Sequence, residues 1–107
     1  MNRDTILIFE DDDIERGILV EMFRQDYKIL EAADGREGIE LLNSHFSSIA
    51  VVLLDYVMPV MDGFQVLEEL QAKKVLSKIP FIMVTGQESA EFESKGYEYG
   101  IVSYIKK

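Results

Sequence analysis

The chain has 107 residues, of which 48% are hydrophobic and 29% are charged, and its formal net charge is −9 at pH 7. This length suits one domain with one core, and the negative charge disfavours direct binding to nucleic acid or to an anionic membrane. The absence of cysteine excludes disulfides and thiolate metal sites, and the apolar runs are far shorter than the roughly 20 residues of a membrane-spanning helix. We therefore expect a cytoplasmic protein.

Short apolar runs alternate along the chain with segments of helical period. The apolar runs predict five strands, at Thr5–Phe9, Lys28–Ala32, 49–54, Phe81–Thr85 and 101–105. Asp12 or Asp13 is a suitable N-cap for a first helix. A second helix is predicted with Ile39, Leu41, Leu42 and Phe46 along its apolar side, and a third is predicted to fray near Lys73-Lys74. The segment 87–99 has a weaker helical pattern, which we expect to be interrupted at Gly96.

The alternation of strands and helices predicts a parallel sheet with helices on both faces. In such sheets, ligands bind beyond the carboxyl ends of the strands, where the strand order reverses. The residues found at these ends are polar: Glu10 and Asp11, then Asp55, then Thr85 and Gly86, then Lys106 and Lys107. This convergence predicts a functional site at that edge of the sheet.

The acidic run at residues 10–13 points to a bound cation. A helix start needs only one N-capping aspartate, whereas four acidic residues in a row repel one another. At least one carboxylate must therefore hold a proton or share a metal. Oxygen ligands suit hard cations such as Mg²⁺.

Asp55 is placed to act as a nucleophile on phosphorus. A carboxylate oxygen beside a metal can form an aspartyl phosphate. Phosphoryl transfer also needs the charge on the phosphoryl oxygens to be neutralised. The hydroxyl of Thr85, the N–H of Gly86 and a lysine ammonium would supply that neutralisation, so the chain is predicted to carry out phosphate chemistry.

Four segments resemble the receiver domain of two-component response regulators. They are residues 5–12, residues 54–63 (LDYVMPVMDG), Val84-Thr85-Gly86 and Tyr104-Ile105-Lys106-Lys107. The resemblance spans essentially the whole chain, residues 1–107. It implies a flavodoxin-like, doubly wound five-stranded sheet with strand order 2-1-3-4-5. It also implies Mg²⁺-dependent transfer of a phosphoryl group from a phosphohistidine to an aspartate.

The resemblance assigns roles to individual positions. Glu10 and Asp11 resemble the acidic pair that holds Mg²⁺, together with Asp55 and the backbone carbonyl of Val57. Asp55 resembles the phospho-acceptor.

Three further positions match the family. Thr85 resembles the switch hydroxyl that binds the phosphoryl group, and Lys107 resembles the phosphate-binding lysine. Tyr104 resembles the aromatic residue that moves with the threonine, although a ring in a final strand is equally often only packed there. The expected partners are a sensor histidine kinase or a histidine phosphotransferase, and a downstream effector protein or output domain.

The sequence departs from the family pattern after Lys107, where a proline and a fifth helix are expected. We therefore predict exposed apolar surface on the sheet face that carries the first helix. We expect either that the chain is a fragment of a longer protein or that a second copy covers this face in a homodimer. Lys107 is expected to be poorly held, with weaker phosphate binding as the result.

Other functions on the same architecture remain open. A receiver-like module could dock partners without being phosphorylated. A phosphatase with an aspartate nucleophile needs a second carboxylate two residues later, and position 57 is valine. A flavin or nucleotide binder lacks its Gly-rich loop after the first strand. We expect no enzymatic activity beyond self-phosphorylation and dephosphorylation.

Overall fold

The computed structural model describes residues 3–87 and 89–107. Within these ranges, five strands alternate with four α-helices, and no helix follows the last strand. The strands are β1 (Thr5–Phe9), β2 (Lys28–Ala32), β3 (Ile49–Asp55), β4 (Phe81–Thr85) and β5 (Ser103–Lys106). The helices are α1 (Asp13–Phe23), α2 (Gly35–His45), α3 (Gly63–Gln71) and α4 (Ala90–Tyr99). Among the described helices, none has the length and apolar character to span a membrane.

The five strands form one parallel sheet with the order β2-β1-β3-β4-β5. The predicted α/β architecture and strand order are confirmed. The order reverses between β1 and β3, which is where a ligand crevice is expected in a sheet of this kind. In the register, Phe9 of β1 is opposite Leu54 of β3, so the residues that follow the two strands emerge side by side.

The core divides into two clusters because successive strand residues point to opposite faces of the sheet. One face packs Leu7, Phe9 and Leu54 against apolar side chains of α2, α3 and α4. The opposite face packs Ile6 and Ile8 against Leu19, Val20 and Phe23 of α1. Within the described residues, α1 is therefore the helix that covers this second face.

The outer side of α1 carries an apolar stripe, formed by Ile14, Ile18 and Met22, whose exposed fractions are 77%, 58% and 58%. Between α1 and the end of β5 lies a groove of about 360 Å³ with Leu19 and Ile105 in its lining. The exposed apolar surface predicted beside the first helix is thus present.

Two sequence predictions in the last third of the chain were wrong. Helix α4 runs through Gly96 without interruption, while Glu88, at the start of the predicted segment 87–99, lies outside the described residues. Strand β5 begins at Ser103 and not at Ile101. The N–H of Ile101 donates to the carbonyl of Gly96, and Gly100 adopts φ 110°, so the backbone here closes the C-terminus of α4.

Smaller corrections concern helix and strand ends. Asp12 is the N-cap of α1, where the sequence left Asp12 or Asp13 open. Strand β3 includes Asp55, one residue more than predicted. Helix α3 ends at Gln71, two residues before the expected fraying point, and Lys74 adopts a left-handed conformation with φ 57°.

Gly38 of α2 is expected to tolerate no larger residue. A Cβ atom there would overlap the ring of Phe9, which is fully buried. Overpacking of this kind costs about 1–3 kcal/mol, against a gain of about 1 kcal/mol in helix propensity. Gly38→Ala should therefore lower the thermal unfolding midpoint. Gly17→Ala in α1, where nothing lies within 4 Å of the added Cβ, should raise it. A stabilising Gly38→Ala would contradict the packing described.

Candidate functional site

Three carboxylates meet at the carboxyl edge of the sheet. Glu10 follows β1, Asp11 comes next, and Asp55 ends β3. One carboxylate oxygen from each of the three residues lies within 4.8 Å of the other two. Glu10 and Asp55 are buried, whereas Asp11 is exposed. The convergence expected from the sheet topology is therefore found in the structure.

The other two members of the acidic run have different contacts. The carboxylate of Asp12 caps α1 by accepting from the N–H groups of Ile14 and Glu15, both at 2.9 Å. Asp13 forms an ion pair of 2.6 Å with Arg16. Helix capping and this ion pair thus occupy two of the four carboxylates, and the other two, Glu10 and Asp11, belong to the site.

Arg16 connects the acidic loop to its surroundings. Its guanidinium donates to the carbonyl of Glu10 at 2.8 Å and to the carboxylate of Glu31 on β2 at 3.0 Å. Its side chain is only 16% exposed. Arg16 therefore restrains the peptide that leads into Asp11. This role was missed from the sequence, because only the phase of α1 shows that Arg16 points back over the loop.

Lys107 reaches the same carboxylates from the end of β5. Its Nζ lies 3.0 Å from Asp55 Oδ1 and 3.1 Å from Glu10 Oε1, and it donates a hydrogen bond of 2.8 Å to Glu15 Oε2. Its backbone N–H donates to the carbonyl of Thr85 at 3.0 Å. The prediction that Lys107 is poorly held was wrong, because three carboxylates surround its ammonium group. Glu15 was not foreseen as one of them.

Burial governs the protonation of the site. It raises the pKa of Glu10 to about 7, against the opposing effect of the Lys107 ammonium. Burial also raises the pKa of Asp55, again opposed by Lys107. Partial burial lowers the pKa of Lys107, but the hydrogen bond to Glu15 and the two buried carboxylates raise it well above its usual value.

The residues present fit a hard divalent cation. Glu10 Oε2 accepts from the N–H of Asp12 at 3.2 Å, whereas the buried Oε1 accepts no well-aligned hydrogen bond from the described residues and lies 3.1 Å from the Lys107 ammonium. A buried carboxylate oxygen without a donor is costly unless it is protonated or bound to a cation. All three carboxylates offer oxygen ligands, which Mg²⁺ prefers. Val57 lies in the loop after β3 and is 65% exposed, and the role of its carbonyl as a metal ligand stays a prediction.

Thr85 and Tyr104 lie on neighbouring strands at this edge. Thr85 is buried, and its hydroxyl accepts from the N–H of Gln87 at 3.1 Å. Tyr104 is half-buried, and its hydroxyl donates to the carbonyl of Glu93 in α4 at 2.9 Å. A cavity of about 270 Å³ has both Thr85 and Tyr104 in its lining. There is thus space between the threonine and the ring.

Gly96 provides the room that Tyr104 occupies against α4. A Cβ atom at position 96 would overlap the Tyr104 hydroxyl and would lie 2.9 Å from Cζ of the ring. The edge of Tyr97 packs 5.2 Å from the Tyr104 ring, centroid to centroid. The ring position therefore depends on a glycine in the middle of a helix, which explains why α4 contains one.

Gly96→Ala is expected to displace the Tyr104 ring from α4 and to break its hydrogen bond to Glu93. The overlap costs about 1–3 kcal/mol, so moving the ring is favoured over keeping it in place. The measurement is the set of NMR contacts between the rings of Tyr104 and Tyr97, which should be lost. Because the nearest overlapping atom is the hydroxyl oxygen, Gly96→Ala combined with Tyr104→Phe should recover part of these contacts. Unchanged ring contacts in Gly96→Ala would contradict the steric role of Gly96.

Comparison with known proteins gives one consistent family. The family model described as the response regulator receiver domain matches residues 6–107. The chain is 35% identical over 103 residues to a probable cyclic di-GMP phosphodiesterase of Vibrio cholerae, which covers 96% of this chain and 23% of that protein. It is 32% identical over 107 residues to the transcriptional regulatory protein SrrA of Staphylococcus aureus, covering 100% of this chain and 42% of that protein.

A solved structure agrees with these relatives. The complex of CheX, CheY, BeF3 and Mg²⁺ from Borrelia burgdorferi matches with a TM-score of 0.89 and 25% identity, over 97% of this chain and 78% of that one. The chain spans half or less of the length of the curated relatives described first. The family match covers nearly all of the sequence, and the fold and the acidic edge of the sheet agree with it. The chain therefore belongs to the family of response regulator receiver domains.

Proposed function

We propose that this receiver domain is a phosphorylation-dependent signalling switch that accepts a phosphoryl group on Asp55 from a phosphohistidine donor. One observation carries the proposal. Asp55 is buried in a group of three carboxylates, and its Oδ1 lies 3.0 Å from the ammonium of Lys107. A nucleophilic oxygen, neighbouring carboxylates suited to a cation, and a fixed ammonium group are the parts that phosphoryl transfer to an aspartate requires.

The proposed transfer is a displacement at phosphorus. An oxygen of Asp55 forms a bond to phosphorus while the phosphorus–nitrogen bond of the donor breaks. The imidazole leaves with the electron pair and takes up a proton. Lys107 stabilises the negative charge on the phosphoryl oxygens, because its ammonium already lies beside Asp55. Thr85, at the end of the adjacent strand, offers its hydroxyl to the same group once it releases Gln87.

Glu10, Asp11 and Asp55 would hold Mg²⁺, with the carbonyl of Val57 as a further ligand. The buried Glu10 Oε1, which accepts no well-aligned hydrogen bond from the described residues, and the mutual distances of the three carboxylates support this assignment. A bound magnesium ion would neutralise charge on the phosphoryl oxygens and keep Asp55 ionised. The CheX–CheY complex from Borrelia burgdorferi, which matches this chain in fold, includes both Mg²⁺ and BeF3.

The switch would act through Thr85 and Tyr104. Movement of the Thr85 hydroxyl toward the phosphoryl group would enlarge the cavity that it shares with Tyr104. The ring could then leave its place on Gly96 and enter that space. Two alternative ring positions are the kind of bistable element that a charge change can bias. The altered surface would be read by an effector protein or an output domain.

The proposed partners are a sensor histidine kinase or a histidine phosphotransferase on the donor side. A histidine kinase of Formosa agariphila is 30% identical to this chain over 105 residues, which are 98% of this chain and 8% of that protein. A homodimer in which a second copy covers the exposed apolar face beside α1, and a cytoplasmic location, both stay predictions.

Two alternatives are separated from this proposal by experiment. The protein is incubated with Mg²⁺ and acetyl phosphate, and its mass is measured. A gain of one phosphoryl group supports the switch. Steady release of phosphate from generic esters would instead indicate a phosphatase, which the valine at position 57 disfavours because it offers no general acid. If neither occurs, the chain is better described as a docking module that is not phosphorylated.

A further inference from the structure

Glu15 is a third carboxylate in contact with Lys107, and it lies outside the group formed by Glu10, Asp11 and Asp55. It lies in the first turn of α1, and its Oε2 accepts a hydrogen bond of 2.8 Å from Lys107 Nζ. The other two carboxylates near that nitrogen, Asp55 and Glu10, are 3.0 and 3.1 Å away. The shortest contact of the Lys107 ammonium with a carboxylate is therefore the one that leads away from the phospho-acceptor.

The ammonium of Lys107 lies among three carboxylates, one for each of its N–H donors. A lysine ammonium has three N–H donors and no acceptor. Three carboxylate oxygens lie within 3.1 Å of it. A phosphoryl group on Asp55 brings additional acceptor oxygens, and these can engage Lys107 only if one present contact is given up.

The exposure of the three carboxylates indicates which contact yields. The side chains of Glu10 and Asp55 are 0% and 4% exposed, and both belong to the carboxylate group of the site. The side chain of Glu15 is 46% exposed, so it can turn to water at low cost. A buried carboxylate that lost its cationic partner would be left uncompensated, which is much more costly.

We infer that Glu15 competes with the phosphoryl group for the Lys107 ammonium and so reduces the affinity of the site for that group. The inference rests on the proposed function, because it assumes that Asp55 carries the phosphoryl group. In the unphosphorylated protein, Glu15 holds Lys107 toward α1. On phosphorylation, Lys107 turns to the phosphoryl oxygens and Glu15 is released at the mouth of the groove between α1 and β5.

The test uses beryllofluoride as a phosphoryl analogue and measures its affinity by NMR titration at fixed Mg²⁺. Glu15→Gln is expected to tighten binding about two- to fivefold, the range of a partly exposed ion pair. Glu15→Asp keeps the charge but shortens the side chain, and it should tighten binding as well. Glu21→Gln is the matched control, since Glu21 lies on the same helix and pairs with Arg24, and it should leave the affinity unchanged.

A double-mutant cycle with Lys107→Ala assigns the effect to the contact. If Glu15 acts through Lys107, Glu15→Gln should have no effect on affinity in the Lys107→Ala background. Unchanged or weaker binding by Glu15→Gln would overturn the inference, as would an effect that persists without Lys107. A Glu15→Asp protein that binds like the wild type would also overturn it, because charge alone would then be responsible. If the wild-type protein binds no beryllofluoride, the proposed function fails instead.

Discussion

Asp55→Asn is expected to abolish phosphorylation by acetyl phosphate in the presence of Mg²⁺. The amide keeps the shape of the side chain but has no nucleophilic oxygen anion, so no bond to phosphorus forms. Asp55 is buried, and its Oδ1 lies 3.0 Å from Lys107 Nζ. The other two carboxylates described in ion pairs with Lys107 belong to glutamates. The measurement is the intact mass after incubation, in which the gain of one phosphoryl group should be absent.

Asp26→Asn is the control for this substitution. Asp26 is exposed in the turn after α1, so the same change of charge there should leave phosphorylation intact. Full phosphorylation of Asp55→Asn would show that another side chain is the acceptor. Loss of phosphorylation in both variants would point to a general effect of charge and would contradict the assignment of Asp55.

The metal-free protein is expected to lose stability as the pH rises from about 4.5 to about 7, because the pKa of Glu10 is raised by burial from 4.5 to about 7. Between these values the folded state holds a proton that the unfolded state has released, so folding is favoured at the lower pH. A pKa difference of one corresponds to about 1.4 kcal/mol, so the whole titration is worth about 3.5 kcal/mol. Because each state is only half titrated at its own end of this pH range, the change in the free energy of unfolding between pH 4.5 and 7 should be about 2–3 kcal/mol. The raised pKa of Asp55 acts in the same direction. Denaturant unfolding at a series of pH values measures this change in the free energy of unfolding.

A pair of substitutions and the addition of Mg²⁺ separate the titration of Glu10 from the general charge repulsion within a chain of net charge −9. Glu10→Gln removes the titrating group and should flatten the pH dependence, whereas Glu40→Gln, an exposed carboxylate on α2, should not. Millimolar Mg²⁺ should restore stability at neutral pH in the wild type and much less in Glu10→Gln, because a ligand that binds the folded state stabilises it. A stability that rises from pH 4.5 to 7 without metal would contradict the raised pKa of Glu10.

The positions of the site residues along the sheet edge were predictable from the sequence. Hydrophobic runs placed β1, β2 and β4 with their observed bounds. Parallel pairing then requires the residues at the carboxyl ends of β1 and β3 to be neighbours, and Glu10 and Asp55 are among them. This inference needed only the order of the elements and the direction of the strands.

Contacts that depend on helix phase were not predictable in this way. Glu15 and Lys107 are 92 residues apart, and their hydrogen bond exists only because the first turn of α1 faces the end of β5. The low helix propensity of glycine predicts an interruption at Gly96, which the structure does not show. A glycine is needed at position 96 because the ring of Tyr104, from β5, occupies the space that a Cβ atom would take. The apolar character of Ile101 predicts a strand, whereas its backbone N–H closes the end of α4.

The four consecutive acidic residues differ in what they contact, even though their charges are alike. Asp12 is occupied by two backbone N–H groups and Asp13 by Arg16, while Glu10 and Asp11 face Asp55. A chain with these four side chains permuted would have the same composition, isoelectric point and hydropathy, yet would present different oxygens to the crevice. In this segment, the order of the residues determines which carboxylates face the crevice, and composition, charge and hydropathy do not.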